Sequence, residues 1–295
     1  MSAPDTLTLT SLRTAEFAPG QLGVLGDPIA HSLSPAMHNA ALATLLPTHP
    51  RLAGVRYHRL RITAEELPAA LTLLHAKGFA GVNLTVPHKI QALTLVETLS
   101  AEAKRAASVN TLVRTPTGWA GHTTDGQGFL EALRERAGHA TQGRPVILLG
   151  SGGAARAVAA ACLADGCVSL SLHNRDVAKA ADLAGALADT RVRAAGLAEI
   201  KASPEAVIVN CTTLGLKPAD ASPFPAGLLA AGQFVFDTTY GAERSRLLED
   251  ARERGVASCD GRSMLRWQGA LAFRLWHGML PPDAPMRAAL GETAP

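Results

Sequence analysis

Three groups of residues have the types and spacing to do chemistry. In the turn-rich stretch Gly26-Asp27-Pro28-Ile29-Ala30-His31-Ser32-Leu33-Ser34-Pro35, Ser32 and Ser34 set two hydroxyls beside the start of a helix, an arrangement that suits a small carboxylate. Ser34 also fits the N-cap of that helix, with Pro35 at its first position. Lys89 follows Val82-Asn83-Leu84-Thr85-Val86-Pro87-His88 and falls in the first turn of a helix that Pro87 opens. The positive end of a helix dipole disfavours a cation, so a lysine there gives up its proton more easily and suits general acid/base work; a solvated surface lysine is the alternative. The third group is Gly150-Ser151-Gly152-Gly153-Ala154-Ala155, in which Gly150, Gly152 and Ala155 fit G-x-G-x-x-G/A. The first small residue permits a tight turn, the second lets backbone approach a pyrophosphate, and the third lets helix and strand pack closely.

These groups need elements to hold them. An apolar run at 146–149 predicts a strand buried on both faces, and the Ala-rich segment from Ala154 predicts the helix whose free N–H groups face the anion. A second run at 168–172 ends in His173-Asn174-Arg175-Asp176, about where the ribose of a dinucleotide lies. Arg175 and Lys179 suit a 2′-phosphate. Asp176 instead suits a 2′-hydroxyl, or caps the helix expected at 177–187.

Further strands are expected at 21–25, 55–62, 82–86, 108–113, 206–210, 234–237 and 256–259, with helices at 35–45, 64–77, 87–99, 127–136, 245–254 and 261–278. Asp125 stands where it would cap the helix at 127–136, and the polar segment 1–19 is expected to be partly disordered. Trp267, Phe273 and Trp276 have the helical spacing of packing residues.

Composition bounds the classes of function. A chain of 295 residues that is 47% hydrophobic and 18% charged has room for two buried cores. A formal charge of +3, without a basic run or aromatic platform, argues against nucleic acid. Neither a secretory leader nor a membrane segment is expected. Cys162, Cys167, Cys211 and Cys259 lack paired C-x-x-C spacing and read as reduced residues of a cytoplasmic protein. His31 and His38 are too far apart for a helix-face metal pair; both read as ordinary polar residues, and no metal is expected.

Taken together, S-L-S-P at 32–35, N-L-T-V-P-H-K at 83–89, S-V-N-T-L at 108–112, T-D-G at 124–126 and G-S-G-G-A-A-R at 150–156 make the chain resemble the shikimate dehydrogenases over almost its whole length. The resemblance implies an α/β protein with two domains. A substrate domain from both chain ends (1–125 and 263–295) flanks an inserted Rossmann-like NADP domain (126–262), with the site in a cleft that hinge closure can seal.

It also implies reversible reduction of 3-dehydroshikimate to shikimate with NADPH, on the route to aromatic amino acids. Ser32 and Ser34 would hold the substrate carboxylate. Thr85, Asn110, Tyr240 and Gln268 would contact the rest of the substrate, and Lys89 with Asp125 would form the catalytic pair. Gly150, Ser151, Gly152, Gly153, Ala154, Asn174, Arg175, Lys179 and Thr212 would hold NADP. Tyr240 is followed by Gly241-Ala242 where the family has Asn-Pro. Serine at position 34 favours shikimate, because relatives that use quinate often carry threonine there. The alternatives are a quinate/shikimate enzyme that prefers NAD, supported by Asp176, and a nucleotide-binding regulator without catalysis. The partner expected is a small molecule, and a homodimer is compatible with the reading.

Overall fold

Leu7 and Leu12 are buried, and they fold the N-terminal segment onto a sheet in place of the partly disordered tail expected for 1–19. The computed structural model describes residues 6–217, 219–241 and 243–292, so the first five residues of that segment and Ala242 lie outside the described residues. The chain divides into two compact units: residues up to Thr124 with those from Gln268 onward, and Asp125–Trp267.

The first unit runs β1 (Leu7–Thr8), α1 (Leu9–Thr14), β2 (Leu22–Gly26), α2 (Ser34–Leu45), β3 (Tyr57–Arg61), α3 (Leu67–Ala76), β4 (Gly81–Leu84), α4 (His88–Gln91), β5 (Thr98–Leu99), α5 (Ala101–Ala106), β6 (Thr111–Arg114) and β7 (Trp119–His122). Its seven-stranded sheet has the order β1-β3-β2-β4-β6-β7-β5. The first four strands in that order run parallel, and β6 is antiparallel to both β4 and β7.

The single helix expected at 87–99 is replaced by the four-residue α4, a 3₁₀ turn at Ala92–Thr94, and β5. Pairing wins over local helix propensity here. Glu97 N donates to Trp119 O at 2.9 Å and Ser100 N to Gly121 O at 2.9 Å, which draws the chain onto the sheet edge.

The second unit runs α6 (Asp125–Ala137), β8 (Pro145–Leu149), α7 (Gly153–Asp165), β9 (Ser169–His173), α8 (Val177–Leu187), β10 (Val192–Ala195), β11 (Val207–Asn210), β12 (Phe234–Asp237), α9 (Arg246–Glu253) and β13 (Ala257–Cys259). It carries the start of α10 (Arg262–His277), whose residues from Gln268 belong to the first unit together with α11 (Asp283–Leu290).

All six strands of the second sheet are parallel, in the order β10-β9-β8-β11-β12-β13. The order reverses between β8 and β11, so the loops after these two strands meet at the switch point where such sheets bind ligands. Apolar residues of α6, α7 and α8 bury one face; Ile147, Ile208, Phe224, Val235 and Leu247 lie in the core on the other. No helix among the described residues is long and apolar enough to cross a membrane.

Candidate active site

Asn110 is the hub of the first unit. It lies 1% exposed in the loop that enters β6. Its Oδ1 accepts from Thr124 N at 2.8 Å and from Thr111 Oγ1 at 3.0 Å, while Nδ2 donates to Thr124 Oγ1 at 2.9 Å and Gln268 Oε1 at 3.2 Å. The structure thus brings together two residues assigned to substrate, Asn110 and Gln268, that are far apart in sequence. Asn83 on β4 adds a second tier, donating to Asn110 O at 3.1 Å and Thr111 Oγ1 at 2.9 Å and accepting from Tyr57 Oη at 2.7 Å. Asn83, Asn110, Thr111, Thr124, Gln268 and Tyr57 carry no formal charge.

Backbone bonds tie Leu84, which precedes Thr85, and Lys89 to the same hub. Leu84 N donates to Asn110 O at 2.8 Å, and Val109 N to Lys89 O at 2.8 Å. Lys89 is half-buried on α4. A helix of four residues carries little macrodipole, so the dipole argument for this lysine falls away. Neighbours of Lys89 anchor α4: His88 Nε2 donates to Ile62 O at 2.9 Å, Gln91 Nε2 donates to Ala64 O at 2.9 Å, and burial pushes the His88 imidazole below its ordinary range.

Ser34 is not the N-cap expected of it. Leu33 occupies that position without a side-chain bond, and Ser34 is the first helical residue, buried, with its N donating to Ser32 Oγ at 3.4 Å. The chain enters α2 through an αR conformation at Leu33, which shifts the start by one residue. One turn further on, His38 is fully buried rather than an ordinary polar residue. It stacks on Tyr57 with centroids 4.2 Å apart, neither ring nitrogen has a hydrogen-bond partner, and burial with nearby His277 lowers its pKa to about 3.

In the second unit the glycine turn has the geometry its motif requires. Gly150 has φ +106, and a Cβ there would lie 2.9 Å from Cys211 O in the neighbouring loop. The space above Gly152 is open. Gly152 is also the N-cap of the 13-residue α7, where a backbone end without a capping side chain suits a phosphate.

Asn174 reaches this turn by donating to Ser151 Oγ, and its Oδ1 accepts from Asp176 N at 3.1 Å. Asp176 stands at the N-cap of α8 but makes no capping bond; its carboxylate meets Lys179 Nζ at 3.6 Å on the exposed surface. Arg175 is exposed. The Thr212 hydroxyl is engaged in shaping its own loop, donating to Asn210 Oδ1 at 2.7 Å and accepting from Leu214 N at 3.1 Å.

Asp125 is the first residue of α6, not a residue preceding it, and is 3% exposed. Tyr240 is half-buried and follows a strand that ends in the buried Asp237. The Asp237 carboxylate accepts from Asn210 Nδ2 at 2.9 Å, Thr239 N at 3.0 Å, Thr239 Oγ1 at 2.9 Å and Ser245 Oγ at 2.5 Å. Burial pushes its pKa up, and the hydrogen bonds from Ser245, Thr239 and Asn210 pull it back. Through Asn210 it fixes both the Thr212 loop and the loop that leads to Tyr240.

Residue-by-residue reading passes over Tyr57, Asn83, Thr111, Thr124, His88 and Asp237. A signal exists for two of them: Asn83 and Asp237 are polar residues within otherwise apolar buried strands, and such residues require partners.

An open parallel sheet with a glycine turn at its switch point, joined in one chain to a unit with a buried amide hub, defines a dinucleotide-binding α/β protein with a separate substrate unit. Residues 24–112 match the family model of the shikimate dehydrogenase substrate binding domain, and 261–290 that of the shikimate 5′-dehydrogenase C-terminal domain. The chain is 40% identical to the shikimate dehydrogenase (NADP(+)) of Moorella thermoacetica over 92% of its own length and 93% of that protein.

Its fold is similar to that of the Thermus thermophilus shikimate 5-dehydrogenase in complex with NADP(H) and shikimate, with TM-score 0.79, 38% identity and coverage of 92% and 98% of the two chains. It is similar also to the quinate dehydrogenase of Corynebacterium glutamicum in complex with NAD, with TM-score 0.79, 28% identity and coverage of 92% and 98%. The chain belongs to the shikimate dehydrogenase family.

Proposed function

We propose that this chain is an NADP-dependent shikimate dehydrogenase that reversibly reduces 3-dehydroshikimate to shikimate. The observation that carries the reading is the buried hub in which Asn110 and Gln268 are bonded to each other, with α4 and Lys89 tied to the same loop. When bound, the nicotinamide supplies or takes up the hydride. Gly150–Ala154 and Asn174 form a cradle for its pyrophosphate and ribose; Thr212 belongs to the same cofactor surface. Arg175, which makes no ion pair among the described residues, and Lys179 supply positive charge for a 2′-phosphate.

Ser32 and Ser34 hold the carboxylate of the substrate. Thr85, Asn110, Gln268 and Tyr240 bond its ring hydroxyls and orient the carbon that changes oxidation state. Lys89 and Asp125 form the catalytic pair: oxidising a secondary alcohol releases a proton along with the hydride, and the pair moves that proton and holds the hydroxyl in line. Four cysteines outside any disulfide, three of them buried, fit a reducing cytoplasm.

Initial rates with shikimate and with quinate, each with NADP⁺ and NAD⁺, test the reading. Turnover is expected to be fastest with shikimate and NADP⁺, and Lys89→Ala is expected to lower kcat about 10²–10⁴-fold while shikimate still binds. A folded protein that turns over none of the four combinations refutes the assignment; preference for NAD⁺ reassigns the ribose edge to Asp176.

A further inference from the structure

Arg59 brings a cation to the loop that precedes α2. Tyr57 on β3 faces α2 through its stack on His38, and with strand periodicity Arg59 faces the same helix two residues further along. Ser34 precedes His38 by one helical turn, so Arg59 lies at the N-terminal end of α2. Its guanidinium confirms the placement: Nη2 donates to Ser32 O at 2.9 Å.

Two sources of positive potential therefore coincide, a fixed cation and the N-terminus of a 12-residue helix. Asp27, just past the end of β2, is taken by Arg61 at 2.9 Å, and Arg59 forms no ion pair among the described residues. Its Nε is buried without an acceptor. Like potentials without a counter-charge are costly in a resting protein, and an anion bound beside them offsets that cost.

We infer that Arg59 is a specificity-determining residue for an anionic substrate. It holds the Ser32 loop by its carbonyl and places a positive charge behind the two serine hydroxyls, so that a carboxylate is favoured there over a neutral group of the same shape. This deepens the preceding reading and rests on it, because it takes Ser32 and Ser34 as the carboxylate site. Neutral serines can fix the orientation of a carboxylate; Arg59 supplies the charge.

The test compares shikimate with its methyl ester, which keeps the ring hydroxyls and loses the charge. Binding by calorimetry and steady-state rates are measured for the wild type, Arg59→Lys and Arg59→Met, at low and high salt. Arg59→Met is expected to weaken shikimate binding and raise its KM about tenfold, with kcat within about twofold and the ester nearly unaffected. Arg59→Lys restores most of the difference, and only the variants that keep the cation lose shikimate affinity as salt rises.

Equal losses for acid and ester in Arg59→Met overturn the inference and leave Arg59 as a prop for the loop. So does the absence of any change. A wild type that binds neither compound defeats the underlying site reading, and the inference with it, before any variant is compared.

Discussion

The two units each bury a polar cluster, but the clusters are built on opposite principles. Around Asn110 the side chains of Thr111, Thr124, Asn83 and Gln268 are neutral amides and hydroxyls, and their donors and acceptors are of the kinds a polyhydroxylated ring also offers. Around Asp237 a single carboxylate gathers four donors from the end of β11, the loop after β12 and the cap of α9. A neutral amide network can exchange partners with a ligand at small cost. A saturated carboxylate cannot, because each lost bond leaves a buried charge less compensated. The first cluster is therefore suited to recognition and the second to holding loops in place.

The largest effect expected concerns the rim of the neutral cluster, where His38 must remain uncharged. Its pKa falls from 6.5 in the unfolded chain to about 3 in the folded one, so the unfolded state binds the extra proton between these values. Stability supplied by the neutral ring is complete above pH 6.5 and is lost as pH falls toward 3, about 4–5 kcal/mol over the whole interval. Urea unfolding of the wild type and His38→Leu at successive pH values should show a difference in slope in that window. Parallel curves would mean that the ring is not sealed from water.

Next in size, Asp237→Ala leaves the donors of Asn210, Thr239 and Ser245 without their acceptor and should cost about 3 kcal/mol in unfolding free energy. Weaker NADPH binding, followed by its fluorescence, should accompany it because Asn210 also holds Thr212. The smallest effect belongs to Tyr57→Phe, which removes only the hydroxyl that bonds Asn83 and should cost about 1 kcal/mol by thermal denaturation. If Tyr57→Phe proves the more damaging of these two variants, the contrast between an exchangeable and a fixed cluster fails.

Much of this was open to reading from sequence where local signals agree. The bounds expected for 177–187 and 234–237 are those observed, because an Ala-rich helix and an apolar strand with a polar end need no distant partner to define them. The segment 87–99 was not legible: its helix propensity is overruled by pairing of β5 with β7, a contact nothing local announces. The burial of His38 is hidden for a similar reason. α2 turns Ser34, His38, Met37 and Ala41 inward together, so its inner face is not purely apolar. Asn110 and Gln268 could be assigned through family resemblance, but their mutual bond spans most of the chain. Asn210 and Asp237 pair across neighbouring strands at matched register, which becomes visible only once the strand order is known.

The division of the first unit between the two ends of the chain also sets a timetable. Gly81 leaves room for the indole of Trp276, whose Nε1 donates to Leu112 O at 3.0 Å, and α11 packs on α2. During synthesis, everything up to Thr124 has left the ribosome before Gln268 is made. At ~5–20 residues per second that wait, taken up by synthesis of the second unit, lasts on the order of ten seconds. Meanwhile the nascent first unit exposes the apolar surface that α10 and α11 later cover, and it is in this interval that the chain has most need of a chaperone.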